Sequence, residues 1–178
     1  MTQAQPKPEG DSLATRIAKL AGVLASAHYP GGDRAALKRW SPDQPVPLAF
    51  YRLWLRHLGT ELPPEEQTAT WALIAWGLAL MGEGTHRPDR PLGQVLAESG
   101  FAEARLERLL AALDAARLDL FASAVRFLAA KGEGFNWRDA ALLLLTADAD
   151  KRESIHRRIA ADYYRQLRKQ ESLKQGKE

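Results

Sequence analysis

Apolar residues recur along most of this chain at intervals of three and four, the spacing that places them on one face of an α-helix. The first such segment follows a candidate cap at Asp11 or Ser12 and runs to about His28. A short basic helix, a helix from about Pro47 to Leu58 and a long helix after the motif LPPEEQ come next. The stretch TATWALIAWGLAL in the long helix is apolar on every side, which predicts a central, buried helix.

The second half of the chain is also helical in pattern and follows a break. The stretch GEGTHRPDRP at 82–91 holds two glycines and two prolines, and is predicted to be a linker. Five helices are predicted after it, starting near residues 91, 101, 118, 136 and 150. Since no alternating run is bounded by turn signals, strands are predicted to be absent or trivial. The expected fold class is all-α, with eight to nine helices in two small packed bundles, 11–82 and 91–170, and flexible tails at 1–10 and 171–178.

The segment GGDRAALKRW at 31–40 divides into an apolar half and a basic half. At 100° per residue, Ala36, Leu37 and Trp40 cover one side of its helix. Arg34, Lys38 and Arg39 cover the other side, and Asp33 stands near the helix N-terminus, where a carboxylate suits the dipole. This pattern predicts an anchored helix that presents cations. The alternative is a solvated helix face next to a buried tryptophan.

Charge is distributed in blocks along the 178 residues, although the net value is only +3 and the pI about 9.3. Residues 16–58 carry seven cations and two carboxylates, a net charge of +5, and residues 150–178 carry a net charge of +4. Residues 59–149 between them carry a net charge of −5. Two basic regions that flank an acidic middle indicate two surfaces suited to polyanions.

Motifs for catalysis are almost absent. The chain has no cysteine, and its four histidines form no pair with metal-ligand spacing, so we expect no catalytic residue, no metal site and no cofactor. One exception is Arg52 followed by His57, which resembles the R-x4-H signature of HEPN ribonucleases. Those motifs usually carry a polar residue directly after the arginine, whereas Leu53 stands here. A HEPN-like ribonuclease remains the alternative hypothesis, beside a helical adaptor that only bridges other proteins.

Three segments together resemble a known family. They are GDRAALKRW at 32–40, PLGQVLAESGFAEARLERLL at 91–110, and FNWRDAALLLL at 135–145 followed by RRIAADYYR at 157–165. They resemble the CasB family, the small subunit of the type I-E CRISPR surveillance complex Cascade, and the likeness extends over about Asp11 to Arg168. The resemblance implies an all-helical, non-catalytic protein that holds DNA strands opened by the guide RNA. It also implies several partners: the backbone and large Cascade subunits, guide RNA, target DNA with its displaced strand, and a second copy of the chain.

The predicted nucleic-acid contacts are cations of the matching segments, together with two cations on RFLAAKG at 126–132. They are Arg34, Lys38, Arg39, Arg126, Lys131, Arg138, Arg157, Arg158 and Arg165. Trp40, Trp54 and Tyr164 are able to stack on bases in principle, but their positions on apolar stripes favour core packing. No secretion signal is evident, and the apolar run 71–81 is too short to span a membrane, so a cytoplasmic protein without membrane contact is expected.

Overall fold

The structure, a computed structural model, describes residues 12–176, and this part of the chain folds into nine α-helices. They are α1 (Leu13–Ala25), α2 (Gly31–Arg39), α3 (Leu48–His57), α4 (Glu65–Met81), α5 (Leu92–Glu98), α6 (Glu103–Ala111), α7 (Asp114–Ala130), α8 (Trp137–Leu145) and α9 (Ala149–Gln175). Strands are absent from residues 12–176, and the single β-bridge joins His86 to Phe135. The all-α prediction is therefore confirmed. The candidate cap Asp11 and the expected tail 1–10 lie outside the described residues, as do 177 and 178.

Local sequence explains where most helices begin. Four consecutive helices, α2 to α5, each start directly after a proline with extended ψ: Pro30, Pro47, Pro64 and Pro91. The side chains of Ser12 and Asp148 cap α1 and α9 by accepting hydrogen bonds from backbone N–H groups in the first turn. The α7 helix differs from its prediction, because it begins at Asp114 rather than near Leu118.

The helix predicted to be central is buried as expected. Residues 70–79 of α4 are all buried, and α1, α2, α7 and α8 pack around it. The Trp71 ring meets the Trp54 ring edge-on, with centroids 5.0 Å apart. Helices from both halves of the chain pack against α4, and the buried residues form one continuous hydrophobic core.

The predicted linker pairs with the loop before α8. The Phe135 amide donates to the Thr85 carbonyl at 3.1 Å, and the Arg87 amide donates to the Phe135 carbonyl at 2.9 Å. Arg90 adds ion pairs to Glu98 at 2.6 Å and Glu133 at 2.7 Å. These contacts fix the linker against the second half of the chain. The division into bundles at 11–82 and 91–170 stays a prediction.

The α5 and α9 helices approach each other closely at Gly93. A Cβ atom placed there would lie 2.1 Å from the Ile159 carbonyl oxygen, so only glycine permits this contact. Nearby, the Tyr163 hydroxyl donates to the Phe101 carbonyl at 2.6 Å, and the partly buried Leu167 packs against the core. The apolar seam of α9 is therefore intrachain core. The helix itself continues to Gln175.

Candidate nucleic-acid interface

The apolar half of the 31–40 segment anchors α2 as predicted. Leu37 and Trp40 are buried, and the Trp40 indole N–H donates to the carbonyls of Gln44 at 3.2 Å and Pro45 at 3.1 Å. Both partners belong to the proline-rich loop that follows the helix. The anchor thus fixes α2 on the core and fixes the direction in which the chain leaves it.

Arg34 differs from the other cations of α2, because its guanidinium binds the end of α1. Its Nη2 atom donates to the carbonyls of Ser26 at 2.6 Å and Leu24 at 3.2 Å. The same group lies 5.5 Å from the centroid of the Tyr29 ring. A cation on the last carbonyls of a helix satisfies acceptors that have no partner inside the helix and complements its dipole. Arg34 therefore joins two helices.

Asp33 lies in the first turn of α2 as predicted, and its carboxylate also pairs with a neighbouring helix. The Arg52 guanidinium donates to it through Nη2 at 2.7 Å and through Nε at 3.3 Å. This hydrogen bond from Arg52 lowers the pKa of the Asp33 carboxyl. The pair joins α2 to α3 and leaves Arg52 less available as a separate cation.

Lys38 and Arg39 are the free cations of α2. Both are exposed in its last turn, and neither side chain makes a hydrogen bond or ion pair to any residue within 12–176. Their position next to the buried Leu37 and Trp40 fixes the backbone that carries them. They meet the requirement for a phosphate contact, which is a charge displayed in water from a rigid element.

Arg126 and Lys131 lie on aromatic rings near the C-terminal end of α7. The Arg126 guanidinium lies 5.1 Å from the Trp76 ring centroid, and the Lys131 ammonium lies 5.2 Å from the Phe127 ring centroid. Both cations stay exposed, since the rings contact only one side of each charge. The rings restrict the positions of the charges without neutralising them.

A buried carboxylate at the start of α8 holds one predicted cation, Arg158, and is the sequence neighbour of another, Arg138. Asp139, which is buried, accepts from the Leu92 amide at 3.1 Å and from Arg158 Nη2 at 3.1 Å. It thereby connects α5, α8 and α9. Arg138 is exposed beside it and has no side-chain partner within residues 12–176. Asp139 was not singled out in the sequence, because nothing local separates it from an ordinary first-turn carboxylate.

The two remaining predicted cations lie on the outer side of α9. Arg157 is exposed and has no side-chain partner in the described part of the chain. Arg165 pairs with Asp162 at 3.0 Å and is 70% exposed. An exposed pair of this kind contributes little free energy and exchanges readily, so Arg165 remains accessible to an external phosphate.

The aromatic candidates divide into two groups. Trp40 and Trp54 are buried, and their indole N–H groups bond to backbone carbonyls, as the prediction of core packing requires. Tyr164 differs from that prediction, because it is 44% exposed and its hydroxyl bonds to Glu103. The α9 helix turns the Tyr163 side chain inward, and the next residue is therefore directed away from the core.

The groups considered for catalysis do not converge. Arg52 and His57 are five residues apart on α3, so their side chains leave the helix axis about 140° apart, and Arg52 is bound to Asp33. No group of three or more His, Cys, Asp or Glu side chains forms a candidate metal site among residues 12–176. In the same residues, no helix combines the length and apolar character that a membrane span needs.

Comparison with protein families decides the identity. A family described as CRISPR-associated protein Cse2 matches residues 33–164, which is more than half of the chain. The chain belongs to the Cse2 family. This family is CasB, the small subunit of type I-E Cascade, and the resemblance found in the sequence is thereby confirmed. No curated protein and no solved structure matches the chain significantly.

Membership of the Cse2 family makes the chain a subunit of the CRISPR Cascade complex. The matched range begins at Asp33, in the first turn of α2, and ends at Tyr164 on α9. It includes every predicted nucleic-acid contact except Arg165, which follows it directly. The Cse2 match therefore covers both the buried anchor of α2 and the cations that α2 displays.

Proposed function

We propose that this chain is a non-catalytic small subunit of Cascade that binds the nucleic-acid backbone and stabilises the opened target DNA in antiviral defence. Its proposed partners are the backbone and large subunits, guide RNA, target DNA with its displaced strand, and a second copy of the chain. Its proposed location is the cytoplasm. In RNA-guided recognition, base pairing reads the sequence, so the protein needs to contact only the backbone and the displaced strand.

The observation that carries this proposal is a set of free cations on anchored helices in a Cse2 chain. Lys38, Arg39, Arg138 and Arg157 are exposed and have no side-chain partner within residues 12–176. Charges without hydrogen-bonding partners of their own are suited to phosphates, whose binding does not depend on base identity. Such a surface holds an opened strand regardless of its sequence.

The same contacts divide the predicted residues by role. Arg34 binds the carbonyls of Ser26 and Leu24, so it acts as a positioning residue for α2. Arg158 holds Asp139 and supports α8 in the same way. Lys38 and Arg39 are therefore the better residues for a test, because removing them leaves the helix contacts intact.

The test is a salt series on Cascade assembled with guide RNA and with either this chain or its Lys38→Ala/Arg39→Ala variant. The dissociation constant for target DNA is measured at each salt concentration. Each lost phosphate contact flattens the plot of log affinity against log salt by about 0.7 for a single strand or 0.9 for a duplex. We expect the double variant to show weaker binding and a flatter slope for targets of different sequence alike.

The matched control is the Arg108→Ala/Lys174→Ala variant, which removes two exposed cations outside the predicted set. It should keep the slope of the unmodified complex. An unchanged slope in the Lys38/Arg39 variant, with normal incorporation into the complex, would show that α2 is not the binding surface. Thermal unfolding of each isolated variant separates these results from a loss of folding. Within residues 12–176, no contact favours the ribonuclease alternative.

A further inference from the structure

A cleft of about 670 Å³ has none of the predicted nucleic-acid contacts among its lining residues. It is bounded by the first turns of α4, α7 and α9 and by the end of α8 with the loop that follows. Glu66, Leu113, Arg117, Leu145 and Arg152 are among its lining residues. The cleft thus combines carboxylates, cations and apolar side chains in one concave site.

Arg117 is an unusual residue to find in its wall, because it is only 5% exposed. Its Nε atom donates to the Ala112 carbonyl at 2.8 Å, and its Nη1 atom donates to the Leu143 carbonyl at 3.1 Å. Its Nη2 atom is buried without a partner, and no carboxylate of residues 12–176 forms an ion pair with the guanidinium. A buried cation held only by neutral groups is costly, and a negative charge would relieve that cost.

A second cation faces the same space. Arg152 is half-buried in the cleft wall, and its side chain has no hydrogen bond or ion pair within residues 12–176. Burial, followed by the charge of Arg152, lowers the pKa of Arg117, and the opposite charge of Asp114 offsets only part of this shift. His156 on the next turn of α9 also has a buried Nε2 atom without a partner. Arg117 and Arg152 in the cleft wall and His156 behind it therefore lie near one another, and no carboxylate of residues 12–176 forms an ion pair with any of the three.

Backbone geometry and apolar exposure add to these orphaned donors. Asp114 has φ of 48°, the one non-glycine residue with positive φ among residues 12–176. Such a conformation costs free energy and is concentrated at functional sites. Next to it, Leu113 is 53% exposed at the cleft wall. The site therefore offers an apolar contact directly beside the unpaired cations.

The lining distinguishes between two kinds of anion. The repeated phosphates of a nucleic-acid strand would be repelled by the carboxylates of Glu66 and Asp114. A phosphate backbone also has no apolar group to pack against the leucines of the wall. A single carboxylate flanked by apolar side chains matches both the cations and the leucines. We infer that this cleft binds an aspartate or glutamate side chain, flanked by apolar residues, on a partner protein, with Arg117 and Arg152 as its ligands. This inference does not rest on nucleic-acid binding by α2.

The test uses the full chain in solution and the capped tripeptide acetyl-Leu-Asp-Leu-amide as the probe. The Nε–H group of Arg117 is hydrogen-bonded and buried, so its NMR resonance is protected from exchange and reports on the cleft. We expect the peptide to shift this resonance saturably, and its Leu-Asn-Leu counterpart to bind roughly ten times more weakly, since it lacks the charge. No shift with the aspartate peptide, or equal shifts with both peptides, would overturn the inference.

Arg152→Gln is the decisive variant, because replacing Arg117 would also remove hydrogen bonds that hold α7 and α8. It should weaken binding of the aspartate peptide roughly tenfold. Lys151→Gln, which neutralises the exposed neighbour outside the cleft, should leave binding unchanged. If a single-stranded oligonucleotide displaces the peptide and binds more tightly, the cleft is a polyanion site and the inference is wrong. Without peptide, the Arg117 resonance could instead shift as the concentration of the chain itself rises. If that shift is absent from Arg152→Gln, the cleft binds a second copy of the chain, and its assignment to a different protein is wrong.

Discussion

Replacing Gly93 by alanine should disrupt the close contact between α5 and α9. The new Cβ would lie 2.1 Å from the Ile159 carbonyl oxygen and 3.0 Å from the Tyr163 amide nitrogen. Ordinary contacts of a Cβ atom begin at 3.4 Å, so α5 would have to move away from α9 by more than about 1 Å. Both obstructing atoms belong to the backbone of a helix, which has no rotamer to change. The strain therefore has to be relieved by separating the two helices.

The free-energy cost of separating α5 from α9 comes from the packing contacts that are lost between them. Overpacking of a close-packed interior costs about 1–3 kcal/mol, and a gap of 0.5–1 Å forfeits a quarter to a half of the dispersion energy along the interface. Leu92, Val95 and Leu96 of α5 would lose such contacts, because all three are buried. The gain in helix propensity is at most about 1 kcal/mol. We expect a net destabilisation of about 2 kcal/mol or more, which lowers Tm by roughly 4–8 °C.

Gly22→Ala is the matched control for this experiment. Gly22 lies inside α1, and a Cβ atom there meets nothing within 4 Å. The same substitution should therefore stabilise the chain by about 0.5–1 kcal/mol through helix propensity. Thermal and urea unfolding of both variants measures the difference. If Gly93→Ala is as stable as the unmodified chain, the close α5–α9 contact does not exist as described.

Two further predictions concern titratable groups, the buried Tyr29 and the half-buried His86. The Tyr29 hydroxyl is buried without a partner, so Tyr29→Phe should stabilise the chain by about 1 kcal/mol. Burial raises the pKa of Tyr29 from 10.0 to about 12, so the unmodified chain loses stability as pH rises from 10 towards 12. In urea unfolding, the stability advantage of the phenylalanine variant should therefore grow over that interval. A stability advantage that stays constant would contradict this prediction. The Nδ1 atom of His86 accepts a hydrogen bond from the Trp137 amide at 3.2 Å, and burial lowers the pKa of this histidine. The neutral ring therefore stabilises the fold above pH 6.5. This stability is lost as pH falls through the lowered pKa. His86→Gln should lose less stability than the unmodified chain between pH 7.5 and 5, as followed by urea unfolding, and equal losses would refute the role of His86.

The helices were predictable because the residues that specify each helix lie within its own sequence or directly before it. Periodic apolar residues and the prolines before α2 to α5 are local signals, and they specify which face is buried and where the helix begins. The start of α7 was missed for a physical reason, since Asp114 adopts a positive φ that is unfavourable for most residues. The contact between Gly93 and Ile159 was not predictable, because 66 residues separate its partners and glycine has no side chain to form a pattern.

The predicted cations were less well separated by sequence than the helices were. Arg34 and Lys38 are one turn apart on the same helix, yet only Arg34 lies within reach of the carbonyls that end α1. Arg117 carries the same charge as any surface arginine and is nevertheless buried. A helical pattern gives the direction of a side chain, whereas its partner depends on which helix packs alongside. Burial of charge and its pairing are therefore the properties that required the structure.

Two kinds of cation, paired and free, are consequently needed to display charge at fixed spacing. A cation that binds phosphate has to remain unpaired, and an unpaired cation makes no side-chain contact that holds its helix against a neighbouring one. In this chain Arg34 positions α2 by binding α1, while Lys38 and Arg39 remain free. The second half shows the same two kinds of cation. Arg158 connects α9 to Asp139, whereas Arg138 is exposed on α8 without a side-chain partner in residues 12–176. If the free cations contact phosphates, the paired arginines set the distances between those contacts, so a variant of Arg34 or Arg158 disturbs binding through the helices that they hold.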